Sequence, residues 1–263
     1  MDLKSIQDPG LNAFSRLQKD LKWAAPESID EFVRHTSPHH AAAAFGVALC
    51  LLRAEQNHAL SLDHEDDWLR TAFNSHTESI KNDPEPNVSF ITYNYDRLIE
   101  RHMMTRLAGY RTACDFYDRF ARIPIVHLHG ALGTLSKIPK AGGTPYIFAD
   151  LNADTVVAAT NSASALRFFW EENQDIVQFD RARRLLVSAD RIVILGIGQA
   201  FQPLSRLLSG FSDNWWNGVD IFATAYLLPQ AGRERLLSLI SKARKYKLCT
   251  HTAKKCLTDD VYA

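Results

Sequence analysis

From Val88 onward the chain alternates short apolar, β-prone runs with helical segments, and few folds accommodate that alternation. The runs are Val88–Tyr93, Ile123–Leu128, Arg191–Leu195, Val219–Leu228 and Tyr246–Thr250. Helical patterns lie between them, over Arg97–Leu107, in segments from Ala153 to Ala189, after Gly198, and over Arg233–Lys245. Strands that read as near-continuous apolar runs are strands buried on both faces, as parallel strands are. The pattern therefore predicts an α/β fold: a doubly wound, Rossmann-like parallel sheet with helices on both faces.

Ahead of this stretch the sequence is helical in style. Leu11, Phe14, Leu17 and Leu21 recur at helical spacing, as do Ile29, Phe32 and Val33 after Ser28. His39–Leu52 is rich in Ala and Leu, and Asp67–Ile80 carries Trp68, Leu69, Phe73 and Ile80 before Pro84 and Pro86 break the pattern. A single domain over 1–263 is expected, with a helical layer over 1–86 and a sheet-forming part over 87–250. Lys plus Arg and Asp plus Glu both number 30, so no general attraction to nucleic acid or anionic lipid is expected. No apolar run approaches a membrane span, and the N-terminus has no apolar signal-peptide core. Cys50, Cys114, Cys249 and Cys256 form no Cys-x-x-Cys pair; they read as core filling or plain surface in a reducing, cytoplasmic setting. No metal is expected.

In parallel sheets ligands bind beyond the carboxyl ends of the strands, so the residues that follow each strand are the candidates for chemistry. The first run ends in Thr92-Tyr93-Asn94-Tyr95-Asp96, the second in His127-Leu128-His129-Gly130, and the third in Gly196-Ile197-Gly198-Gln199. Together, from about Ser28 to Thr250, these motifs resemble the sirtuin-like family, and within it the bacterial NAD-hydrolase branch of antiviral defence systems. Ser28-Ile29-Asp30-Glu31-Phe32 and Tyr95-Asp96-Arg97-Leu98-Ile99-Glu100 agree with that resemblance.

The resemblance implies hydrolysis of NAD+ to ADP-ribose and nicotinamide, with NAD+ as substrate and no metal. Breaking the nicotinamide–ribose bond builds positive charge on the ribose. Asn94 matches the family's Asn that orients the ribose and the attacking water. His129 matches the His that accepts a proton near the ribose hydroxyls, its ordinary pKa lying close to neutral. Thr92 and Asp96 match residues that shape the nicotinamide and ribose pocket. Gly130 lets backbone approach the ligand, and Gly196 and Gly198 match a phosphate- and ribose-facing turn. NAD+ or ADP-ribose, a second copy of the chain or a defence-system protein are the partners this implies.

Each residue also has a plainer reading. Asn94 suits a turn or helix cap, and Gly198-Gln199 a simple strand exit. His127 and His129 lie two apart and share a face on an ideal strand, but no third ligand has suitable spacing, so His127 reads as a buried structural or supporting histidine. His39-His40 reads as a solvated cap, Trp215-Trp216 as core or interface anchors, and the run Lys242, Arg244, Lys245, Lys247 as a solvated helix end.

The chain departs from the family in lacking the early Gly-Ala-Gly-x-Ser loop that cradles a pyrophosphate, so the first βα unit is expected to be missing. Tyr93 stands where deacylating members carry Gln, and no zinc-binding cysteine quartet is present; both favour NAD+ hydrolysis over deacylation. Three readings stay open: an NAD+ glycohydrolase, a catalytically inactive sirtuin-like nucleotide-binding or assembly module, and an unrelated Rossmann-like binding protein.

Overall fold

The structure is a computed structural model and describes residues 9–24, 32–33, 40–56, 67–83, 86–108, 122–133, 153–168, 176–198 and 201–262. In chain order the helices are α1 (Pro9–Ala24), α2 (His40–Gln56), α3 (Trp68–Asn82), α4 (Leu98–Ala108), α5 (Ala153–Ala163), α6 (Ile176–Val187), α7 (Phe201–Leu208), α8 (Asp213–Trp216), α9 (Gln230–Ile240) and α10 (Ala253–Cys256). A π-helical turn at Leu257–Val261 follows α10 directly. The strands are β1 (Phe90–Thr92), β2 (Ile125–His127), β3 (Arg191–Ile194), β4 (Asp220–Thr224) and β5 (Lys245–Cys249). The expectations at Ser28, His39, Cys114 and Gln199 fall outside the described residues.

The fold is mixed α/β with two small parallel sheets, β1–β2 and β3–β4–β5. The chain divides into two compact units that interleave along the sequence. The first holds Met1–Leu60, Tyr93–Leu98 and His129–Gln174; the second holds Ser61–Thr92, Ile99–Leu128 and Asp175–Ala263.

The first unit is built on small residues. Ala42, Ala43, Ala44 and Ala48 of α2 are buried, and so are Ala158 and Ala159 of α5. Alanine favours the helix and lets two axes approach closely, so α2 and α5 pack together. Leu52, Leu132 and Leu166 fill the space around them, while Leu17, Val33 and Phe168 close a second cluster against α2. His40 is not the fully solvated cap its sequence suggests. It opens α2 half-buried, edge-to-face with Phe168 at 4.9 Å between ring centroids.

In the second unit α3 joins two cores. Leu69, Phe73 and Ile80 pack with Ile99, Met103 and Ile123 against β1 and β2, while Ala72 packs with Phe222, Cys249, Cys256, Leu257 and Val261. Trp68 borders both clusters. Asp67 starts the helix by accepting from the Arg70 amide at 3.0 Å, satisfying one of the first-turn donors. β4 lies between β3 and β5 and buries Ile221, Phe222, Ala223 and Thr224. β5 departs from the buried-strand expectation: Lys245, Tyr246 and Lys247 are exposed, as suits a strand at the end of its sheet. Trp216 is buried and the Trp215 indole donates to the Leu186 carbonyl at 3.1 Å, so this pair does anchor a core. Among the described residues, no helix is long and apolar enough to cross a membrane.

Candidate functional site

Where β1 ends, the chain leaves the sheet as Tyr93-Asn94-Tyr95-Asp96-Arg97 and enters α4. This loop belongs to the first unit, with His129–Gly133 and the segment after α5. Three sets of hydrogen bonds bind them. The Leu132 amide donates to the Tyr95 carbonyl at 2.9 Å. The Tyr95 hydroxyl donates to the Arg167 carbonyl at 2.8 Å, and the Arg167 amide donates to the His129 carbonyl at 2.8 Å. The Arg97 guanidinium donates to the carbonyls of Leu132, at 3.3 Å, and Gly133. The Arg97 amide donates to the buried Glu55 carboxylate of α2 at 2.9 Å. An ionised acceptor makes such a bond stronger than a neutral one.

This lacing sets the Asn94 loop beside the His129 segment. The His129 side chain is buried, with the Tyr93 ring 5.5 Å from it, centroid to centroid, at 35°. Asn94 is exposed. Burial pushes the Tyr93 phenol well above its ordinary pKa, so it stays neutral beside the imidazole. Asp96 accepts from the Leu98 amide through Oδ1 at 3.1 Å and so steadies the start of α4. Gly130 takes φ +81°, and a Cβ there would meet the Ala165 carbonyl oxygen at 1.9 Å. Only glycine permits that approach.

The remaining sequence candidates lie in the second unit. Thr92 ends β1 opposite His127, and its carbonyl accepts from the Leu128 amide at 2.9 Å. His127 is buried and its Nε2 lies 2.8 Å from Glu100 Oε1, so it is the structural histidine its position suggests. Gly196 and Gly198 adopt φ +63° and +56°, and among the described residues, chain neighbours aside, no atom lies within 4 Å of a Cβ built at either. The Gly196 amide donates to Thr224 Oγ1 at 3.1 Å. This is open, left-handed backbone at the carboxyl end of β3, where a ligand-facing turn belongs. Nearby in sequence, after β4, Leu227 holds φ +56° and is exposed together with Tyr226. A non-glycine residue in that region carries strain.

Sequence reasoning passed over Glu55, Arg97 as a clamp, and Thr224. Glu55 and Arg97 meet across 42 positions, and Thr224 meets Gly196 across 28. No periodicity carries such pairs; the only available signal was polarity in otherwise apolar elements. Compared with known proteins, the chain matches no family model, no curated protein and no solved structure.

Proposed function

We propose that the chain is a sirtuin-like NAD+ glycohydrolase, releasing nicotinamide and ADP-ribose in antiviral defence, on a doubly wound, Rossmann-like sheet. The observation that carries the reading is the lacing of the Tyr93–Leu98 loop to His129–Gly133, which gathers an exposed amide and an imidazole into one unit. The parallel pairing of every described strand supports the fold.

In the proposed reaction water adds at ribose C1′ while the C1′–N bond breaks. The bonding pair goes to the nicotinamide nitrogen, which leaves neutral. The Asn94 amide orients the ribose and the water, and His129 takes the proton released as the C1′–O bond forms. Gly130 lets the backbone after His129 stay close to its support.

A second reading, an inactive nucleotide-binding module, draws on two observations. His129 is only 4% exposed, and the Asp96 carboxylate is engaged by the Leu98 amide. One experiment separates the two. Nicotinamide release by the full chain is measured beside calorimetric titration with ADP-ribose. The enzyme reading expects turnover that falls by at least 100-fold in Asn94→Ala and in His129→Ala, in line with loss of a positioned acid–base or orienting group. Equal turnover in wild type and both variants refutes the site; ADP-ribose binding without turnover establishes the module.

A further inference from the structure

Cys249, at the end of β5, and Cys256, at the end of α10, bring their sulfurs together with a carboxylate oxygen of Asp260, all three donor atoms within 4.8 Å of one another. Both cysteines are buried, and the Asp260 side chain is only 5% exposed. His251, two residues beyond Cys249, places its Nε2 2.9 Å from Asp260 Oδ2. Local structure assembles the set. Thr252 caps α10 and turns the chain back after β5. Cys256 and Asp260, four residues apart on the helical stretch that runs from α10 into the π-helical turn at Leu257–Val261, lie on one face of it.

We infer that Cys249, Cys256, Asp260 and His251 form a binding site for a single zinc ion, independent of the proposed hydrolase site. Two thiolates, a carboxylate and an imidazole are a donor set that zinc takes in tetrahedral geometry. Around such an ion the sulfur and oxygen donors stand about 3.5–3.8 Å apart, so the Cys249, Cys256 and Asp260 donors need to close by about 1.3 Å at most, while His251, outside that group and hydrogen-bonded with Asp260, must turn to supply the fourth donor. The charge also balances. Two thiolates and one carboxylate carry three negative charges, zinc brings two positive charges, and Lys247, already paired with Asp260, brings the third.

Core filling explains two buried thiols but not a carboxylate oxygen within 4.8 Å of both sulfurs, and Lys247 and His251 already hold that carboxylate in place. Zinc takes a cysteine as the thiolate, so binding at this cluster is coupled to proton release.

The test uses the full chain after chelator treatment, titrated with Zn2+ by calorimetry and with Co2+ by absorption. One equivalent of Co2+ is expected to give a thiolate-to-cobalt charge-transfer band with tetrahedral d–d bands. Zn2+ should displace it without further proton release, whereas either metal added to the metal-free chain should release protons. The charge-transfer band should vanish in Cys249→Ser/Cys256→Ser and persist in Cys50→Ser and Cys114→Ser. Asp260→Asn, which keeps both thiols if the double variant does not fold, should weaken Zn2+ at least tenfold. Absence of the band in wild type, its survival in the double cysteine variant, its loss in Cys114→Ser, or unchanged affinity in Asp260→Asn overturns the site.

Discussion

Gly130 supports the sharpest test of the backbone that carries His129. In Gly130→Ala the new methyl carbon would start 1.9 Å from the Ala165 carbonyl oxygen. Real contacts of this kind essentially never fall below 3.0 Å, so one strand of backbone must move by at least 1.1 Å. The segments concerned are joined by the Arg167 amide to the His129 carbonyl at 2.8 Å, a bond worth about 1 kcal/mol net. Holding alanine at φ +81° adds about 1–2 kcal/mol, and the displaced packing around Leu166 adds to that. We expect a loss of about 3 kcal/mol, or about 6–12 °C in Tm for a chain of this size. Gly196→Ala is the control, because it has the same left-handed backbone with open space around the new carbon. It should lose only about 1–2 kcal/mol. Urea unfolding gives the two values, and native-state hydrogen exchange of amides in each glycine's own unit assigns them. A Gly130→Ala loss no larger than that of Gly196→Ala refutes the contact.

Two further outcomes test the second unit. Glu100→Ala removes the partner from buried His127 and should destabilise by about 3 kcal/mol in urea unfolding, with Glu100→Gln losing less because it keeps a hydrogen-bonding group there; a Glu100→Ala loss below about 1 kcal/mol contradicts the buried pair. The Arg244 guanidinium, hydrogen-bonded to Asp220 at 2.8 Å, holds the Asp220 carboxyl below its ordinary range. The folded chain thus binds fewer protons at this group than the unfolded one, so the stabilisation is present above the ordinary carboxylate pKa and is lost as pH falls through the depressed one. Asp220→Asn should be slightly less stable than wild type at neutral pH, should match it in strong acid, and should differ less at high salt.

The sheet was legible wherever apolar runs met breakers. The five described strands form inside or within a residue of the predicted runs; for β2 and β4 burial leaves a compositional mark, while β5 is marked by its β-prone residues although its first three are exposed. Their ends were less legible. β4 stops at Thr224 rather than continuing to Leu228, since the chain turns at Tyr226 and Leu227, two large residues that read as strand but stand exposed. The C-terminal cluster was the least legible part of the chain. Cys249 and Cys256 looked like isolated thiols; Cys256 and Asp260 share a face at ordinary helical spacing, but Cys249 joins them only because the chain turns back at Thr252 after β5.

The two histidines of the second motif show why a correct local rule can mislead. Residues two apart on a strand share a face, which makes His127 and His129 look like a pair. That rule holds only while the chain remains a strand, and β2 ends at His127. Within its own unit His127 turns to Glu100 of α4 and is used up in packing. His129, beyond the strand end, is oriented instead by the segments around it: its carbonyl is held by the Arg167 amide, Gly130 supplies the left-handed turn after it, and Tyr93 flanks its ring. Any imidazole chemistry at this motif therefore depends on the backbone around residue 130 more than on strand alternation. A substitution that moves this turn should disable the motif even with His129 left in place.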